Sequence, residues 1–406
     1  MTKKSGRFPA FRPVFLKPRC VMGLFGPSGP AAAEDILRGR SALSAMGIGT
    51  SYVPEAACAD PDRLDAAARA GSVPPGIAGA SAPLAAAGPG APGTLASAAA
   101  GPPAAPSAGP SCPSAGPSGP TPGLFGPSPA SPPPGEPPPG SGRAYLAGRD
   151  ETRLMGILEM MDNPGVSELL AVRGGFGAMR LLKALAPFWH LFPHLKPIVG
   201  FSDVTALHLA RLRATGTGGW HAPNLTTLAR LAPAEAASAV AVMRGEDERP
   251  WTFEASDVLV PGDASGPLVG GNLTVFANLW GSSCCPGTED AVLMLEDVNE
   301  HPYEIDRLLT SLALRKAFRG VKALVFGEFA ECGDPQEIRA IVAECAREAG
   351  VPAVAGAPFG HGDSCAPWFY GERGVLTADS DGGTLAFPGR GPALEIPEGF
   401  PVEMLI

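Results

Sequence analysis

Lys196-Pro-Ile-Val-Gly-Phe-Ser-Asp-Val-Thr-Ala-Leu-His208 is the stretch on which the fold of this chain turns. Its apolar run, Pro197 to Val199, reads as a buried strand that stops at Gly200, and the amphipathic run from Val204 to Arg213 reads as a helix. Ser202 therefore falls on a tight strand-to-helix turn. Such a turn projects a serine from the carboxyl end of the strand, and the N–H groups that open the helix face any oxyanion formed there. The Gly-x-Ser-x-Gly pattern is incomplete, because Val204 stands at the last glycine position. Taken locally, the simpler account is a turn in which Ser202 or Asp203 caps the helix.

The surrounding chain repeats the same unit. Val21 to Phe25 reads as a strand closed by Gly26-Pro-Ser-Gly-Pro30, followed by a helix over 31–46 and a strand over 48–53. Ser167 to Val172 reads as a strand ending in Arg173-Gly-Gly-Phe-Gly177, with a helix after it, and a short strand ends at His221. Three strands thus end in glycine-rich loops, at Gly26, Gly174 and Gly200. In an open α/β sheet, ligands bind off the carboxyl ends of the strands, so these loops are expected to line one crevice. A second block opens at Gly266-Pro-Leu-Val-Gly-Gly-Asn-Leu-Thr274 and continues with an apolar strand, Ala291 to Leu295, that runs into Glu296-Asp297. A helix over 304–318, a strand over 323–326 and a helix capped by Asp334 follow. The chain then reaches Phe359-Gly-His361 and a β-rich tail.

Composition bounds the rest. A length of 406 residues predicts two domains, while 53 Gly and 47 Pro are too many for a uniformly folded chain. The excess lies in 74–142, almost entirely Pro, Ala, Gly and Ser, which reads as a disordered insertion after the second strand. The predicted organisation is a flexible arm over 1–19, an N-terminal α/β domain over 20–225, a connection over 226–263 and a C-terminal domain over 264–406. A net charge of -9 without a basic stripe argues against a nucleic-acid partner. No apolar stretch is long enough to span a membrane and no signal-peptide core follows the basic N-terminus, so a cytoplasmic protein is expected. The eight cysteines show no metal-ligand spacing and read as reduced thiols. No cofactor and no metal are called for.

Ser202, Glu296 and His361 stand at the ends of predicted strands, in one of the chain orders that catalytic triads adopt. Here the chain resembles the LD-carboxypeptidases, serine peptidases acting on murein peptides that include the microcin C immunity peptidases. The resemblance is carried by Gly26-Pro-Ser-Gly-Pro30, Tyr145-Leu-Ala-Gly148, Arg173-Gly-Gly-Phe-Gly177, Gly200-Phe-Ser-Asp-Val-Thr205, Gly270-Gly-Asn-Leu273, Leu295-Glu-Asp-Val298, Pro302-Tyr-Glu-Ile-Asp-Arg307 and Gly360-His361. It implies a flavodoxin-like parallel sheet in the N-terminal domain, a smaller C-terminal α/β domain, and a homodimer. It also implies Ser202 as nucleophile, His361 as general base and Glu296 as the acid that orients His361. The Asp203 N–H and an N–H of Gly174 or Gly175 are the expected oxyanion donors.

Each assignment has a plainer rival. Glu300 competes with Glu296, and His208 and His221 compete with His361. Arg173 either pairs with a carboxylate of the protein or holds the terminal carboxylate of a substrate. Asn272 is a helix cap or a polar brace beneath the site. Asp306 and Arg307 read as a structural ion pair. Phe176 and Phe201 stand where the family often has tyrosine, a difference that bears on specificity. The expected activity is removal of the terminal D-Ala from murein tetrapeptide in peptidoglycan recycling. A peptidyl-nucleotide immunity peptidase is the nearest alternative, and a non-catalytic peptide- or nucleotide-binding module is the alternative from another class.

Overall fold

The structure, a computed structural model, describes residues 13–17, 20–51, 143–190 and 196–390. The expected insertion over 74–142, most of the N-terminal arm and the tail beyond 390 lie outside the described residues.

Two sheets organise the chain. The first has the strand order β12-β5-β4-β3-β1-β2. Here β1 is Val21–Phe25, β2 Gly49–Ser51, β3 Glu168–Ala171, β4 Ile198–Val199, β5 Trp220–His221 and β12 Trp368–Phe369. All neighbours are parallel except β12, which runs antiparallel to β5. The residues of β3, β4 and β5 are all buried, as interior strands covered on both faces must be. Because β1, β3, β4 and β5 run the same way, the loops after them open on one edge of the sheet. Gly26–Pro30, Arg173–Gly177 and the Ser202 turn all lie on that edge.

The second sheet has the order β6-β14-β13-β8-β9-β10-β11-β7. Its parallel centre is β8 (Gly262–Asn272), β9 (Val292–Val298), β10 (Ala323–Ala330) and β11 (Ala353–Val354). The antiparallel strands β13 (Arg373–Asp379), β14 (Gly382–Ala386) and β6 (Trp251–Glu254) extend one edge, and β7 (Val258–Val260) closes the other. The apolar run of β9 is buried from Val292 to Asp297, which carries Glu296 and Asp297 inward at its carboxyl end. Register places Asn272 opposite Glu296. The fold is thus mixed α/β, with a parallel N-terminal sheet and a second sheet, as the sequence predicts.

The two sheets are stitched at the level of the elbow. Thr205 Oγ1 accepts the Asn272 N–H at 3.1 Å, and the Tyr370 hydroxyl donates to the Gly270 carbonyl at 3.0 Å. Residues 368–369 return to the first sheet from far along the chain, a pairing with no local signal in the sequence. Two sequence readings are corrected here. The predicted helix over 304–318 spans Pro302–Leu314, because the chain turns at Lys316 with φ 61°. Asp306 and Arg307 do not pair: Arg307 bonds Glu304, and Asp306 accepts from Thr310 one turn on.

Candidate active site

Ser202 has φ 63°, a left-handed conformation that is uncommon for a residue with a Cβ. Holding it there costs on the order of 1–2 kcal/mol, a cost the surrounding structure must offset. Three side chains do so. Asn224, buried at the end of β5, accepts the Phe201 N–H at 3.3 Å. His208, on the helix Thr205–Thr215, bonds the Gly200 carbonyl through Nε2 at 2.9 Å. Buried Asp203 accepts the Ser28 hydroxyl at 2.5 Å and the Ala178 N–H at 2.8 Å.

The Asp203 side chain thus caps not its own helix but the neighbouring one, Ala178–Leu185, and ties the elbow to the Gly26–Pro30 loop. Burial pushes its carboxyl up from the ordinary value, against the pull of Ser28 and the two helix-start N–H groups. Its own N–H makes no hydrogen bond among the described residues, and neither do the N–H groups of Gly174 and Gly175. Gly174 lies against Ser202, where a Cβ would stand 2.8 Å from both its Cβ and its Oγ. Only glycine lets that backbone approach so closely. Gly175 is pinned through its neighbour, whose carbonyl accepts the Gly29 N–H at 3.1 Å.

Glu296 and His361, 65 residues apart, meet with Oε2 2.6 Å from Nδ1. An ionised carboxylate only accepts, so Nδ1 carries the proton and Nε2 is left with its lone pair. The His361 ring packs on Phe201, the residue before Ser202, with centroids 4.5 Å apart. Ser202 Oγ has no hydrogen-bond partner among the described residues. Burial pushes the His361 imidazole down, but the charge and hydrogen bond of Glu296, with Asp297 behind it, outweigh that and hold it above its ordinary value. Arg230 opposes them.

The rivals sit in different surroundings. Glu300 accepts from Thr274 at 3.2 Å and does not bond His361. Buried His208 is pushed down to about 3 by desolvation, and its Nε2 is committed to Gly200. His221 is wholly buried, stacked on Trp368 at 4.9 Å, and driven well below the ordinary histidine value by desolvation. Neither imidazole is placed to exchange a proton with solvent. Asn272 has both roles weighed for it: its Oδ1 accepts the Val275 N–H, and its Nδ2 donates to Asp297 at 2.8 Å. Asp297 also receives Thr274 and Val298, and burial and the Glu296 charge push it up to about 6. Arg173 is exposed, donates to the Pro30 carbonyl at 2.8 Å and pairs with no carboxylate among the described residues. Among those residues no group of three or more His, Cys, Asp or Glu is placed to hold a metal ion.

Sequence reading missed Ser28, Asn224 and Asp297 as supports. Ser28 lies in the Gly-Pro-Ser-Gly-Pro loop already singled out, and Asn224 follows a strand on the crevice edge, so a search for polar residues at strand ends would have found both.

An elbow serine off the first sheet beside a histidine–carboxylate pair carried by the second sheet and a later loop is the set of residue types that serine hydrolases use. A family profile described as the LD-carboxypeptidase N-terminal domain matches residues 133–222, and one described as the C-terminal domain matches 265–376. The chain is 34% identical over 249 residues to a putative carboxypeptidase of Synechocystis, covering 60% of this chain and 80% of the relative. It is 34% identical over 233 residues to a probable murein peptide carboxypeptidase of Bacillus subtilis, covering 55% and 72%. The fold is similar to that of an MccF-like protein from Bacillus anthracis, with TM-score 0.64 at 17% identity over 93% of this chain and 99% of that one. The chain belongs to the LD-carboxypeptidase family. It is a serine-type carboxypeptidase.

Proposed function

We propose that this enzyme removes the terminal D-Ala from murein tetrapeptide, acting in the cytoplasm in peptidoglycan recycling. The observation that carries the proposed site is the 2.6 Å Glu296–His361 contact beside the strained Ser202 elbow. The relative named for murein peptides supports the substrate.

In this reading Ser202 Oγ attacks the carbonyl carbon of the scissile amide while His361 Nε2 takes its proton. Glu296 holds the imidazole by Nδ1 and stabilises the imidazolium that forms. The oxyanion is received by the Asp203 N–H and by an N–H of Gly174 or Gly175, groups with no competing partner. Collapse breaks the C–N bond, and the imidazolium returns the proton to the departing amine of D-Ala. Water, deprotonated by His361, then hydrolyses the acyl-enzyme and frees Ser202. Arg173, exposed at the rim, takes the terminal carboxylate of the substrate. The N-terminal half of the chain supplies the nucleophile and the C-terminal half the acid and base.

The assay is release of D-Ala from murein tetrapeptide, followed by mass spectrometry. A peptidyl-nucleotide amide is the comparison substrate, since the fold is shared with an MccF-like protein. Cleavage of the tetrapeptide supports the proposal. An intact tetrapeptide beside a cleaved peptidyl-nucleotide contradicts it.

The raised His361 value sets the pH dependence. A protonated imidazole cannot take the serine proton, so kcat/KM is expected to fall on the acid side with a midpoint above the ordinary 6.5. Stability runs the other way. The His361–Glu296 pair contributes fully below pH 6.5, and its contribution is lost as pH rises through the raised His361 value. A pH series of kcat/KM with parallel melting curves reads both, and an acid midpoint below 6.5 would count against His361 as the base.

A further inference from the structure

The pairing of β10 with β9 shifts register between Phe326 and Phe329, which leaves Gly327 and Glu328 out of step with β9. Irregularities of this kind beside a site re-aim a side chain, and here the re-aimed residue is Glu328. Its backbone N–H donates at 2.8 Å to the Phe359 carbonyl, two residues before His361. Its side chain covers the residue after His361: a Cβ added at Gly362 would stand 1.7 Å from Glu328 Oε1 and 2.0 Å from Oε2. The peptide carrying His361 is therefore held on both sides by one residue. Glu328 is solvent-facing and pairs with no lysine or arginine among the described residues, so its carboxylate is free for the loop. Partial burial and the charge of Asp363 push that carboxyl up from its ordinary value.

We infer that Glu328 is a positioning residue for catalysis, one that fixes the His361 loop by seating its carboxyl group against Gly362 and so holds Nε2 toward Ser202. This rests on the triad reading proposed above. Glu296 sets the tautomer of the ring through Nδ1, and Glu328 sets the height of the backbone from which the ring projects. A lapse of about 1 Å in such a group costs up to ~100-fold in rate.

The test measures kcat and KM on murein tetrapeptide for Glu328→Ala, Glu328→Gln and Gly362→Ala. Glu328→Ala is expected to lower kcat about 10- to 100-fold with KM within about threefold, as misplacement of a reacting group does. Glu328→Gln keeps a side chain of the same shape against Gly362 and is expected to fall only about threefold, since the packing and not the charge is what the loop uses. Gly362→Ala displaces the carboxylate and should match Glu328→Ala. The double variant should be no worse than either single one, because both remove the same contact. That non-additivity, and rescue by glutamine, are results a merely structural role would not give. A Glu328→Ala variant with wild-type kcat, a glutamine variant as impaired as the alanine one, or additive losses in the double variant would overturn the inference. Ser202→Ala in the same assay separates the two claims. Activity surviving in it overturns the triad reading and this inference with it. Its inactivity beside a fully active Glu328→Ala overturns this inference alone.

Discussion

Ser202→Ala is expected to lower kcat by at least about a thousandfold while leaving the fold and the melting temperature close to wild type. The hydroxyl is the atom that forms the acyl bond in the proposed mechanism, and no other described side chain is placed to substitute for it. Alanine keeps the Cβ, so the backbone remains at φ 63° with its strain intact. Ser202→Gly separates the two properties. It removes the same hydroxyl and also the Cβ, so it is expected to be as inactive as alanine but more stable, by up to about 1 kcal/mol. A glycine variant less stable than the alanine one would show that the conformation is not strained. An alanine variant that keeps its activity would remove Ser202 from the mechanism.

Glu296→Gln is the second large effect. Among the described residues Oε2 is the only partner of His361 Nδ1, and the corresponding acid-to-amide change in serine proteases costs about 10⁴ in kcat. The amide can turn its N–H₂ to Nδ1, which places the ring proton on Nε2, where it faces the serine and blocks proton abstraction. The pH profile carries a second signature. Burial alone lowers the imidazole, and the Glu296 charge and hydrogen bond are the main opposing influences. Without them the acid midpoint is expected to drop from above 6.5 to a lower pH, so the residual activity should be flatter on the acid side. Retention of the wild-type midpoint would mean that another group orients His361.

What the sequence made legible follows from where the signals lie. Val21–Phe25 was readable to the residue because its apolar run is short and closed by Gly26-Pro27. The elbow was readable as a turn, since Gly200 ends the strand and an amphipathic run begins at Val204. That the left-handed residue is Ser202 itself, held by Asn224 on Phe201 and by Ser28 and Ala178 on Asp203, depends on contacts 23 and more residues apart and has no local trace. The strand Gly262–Asn272 was placed as an organised block without a strand assignment, because glycine and proline at five of its positions mask the β signal that its pairing with β9 and β13 supplies. The return of Trp368–Phe369 to the first sheet was invisible for a different reason: its partner, Trp220–His221, lies far earlier in the chain and leaves no local signal. Within the site, Ser202, Glu296 and His361 stood out by residue type and by resemblance. Glu328 did not, because its role comes from an irregularity in β10 that only the register shows.

The most direct test of the account is covalent labelling with a fluorophosphonate, with the modified peptide located by mass spectrometry. The predicted result is a single adduct on Ser202 in the wild-type chain, absent in Ser202→Ala and formed much more slowly in His361→Ala, because the hydroxyl reacts only when an imidazole takes its proton. An adduct on a different residue, or equal labelling of Ser202 in the wild type and in His361→Ala, would contradict the proposed nucleophile and base.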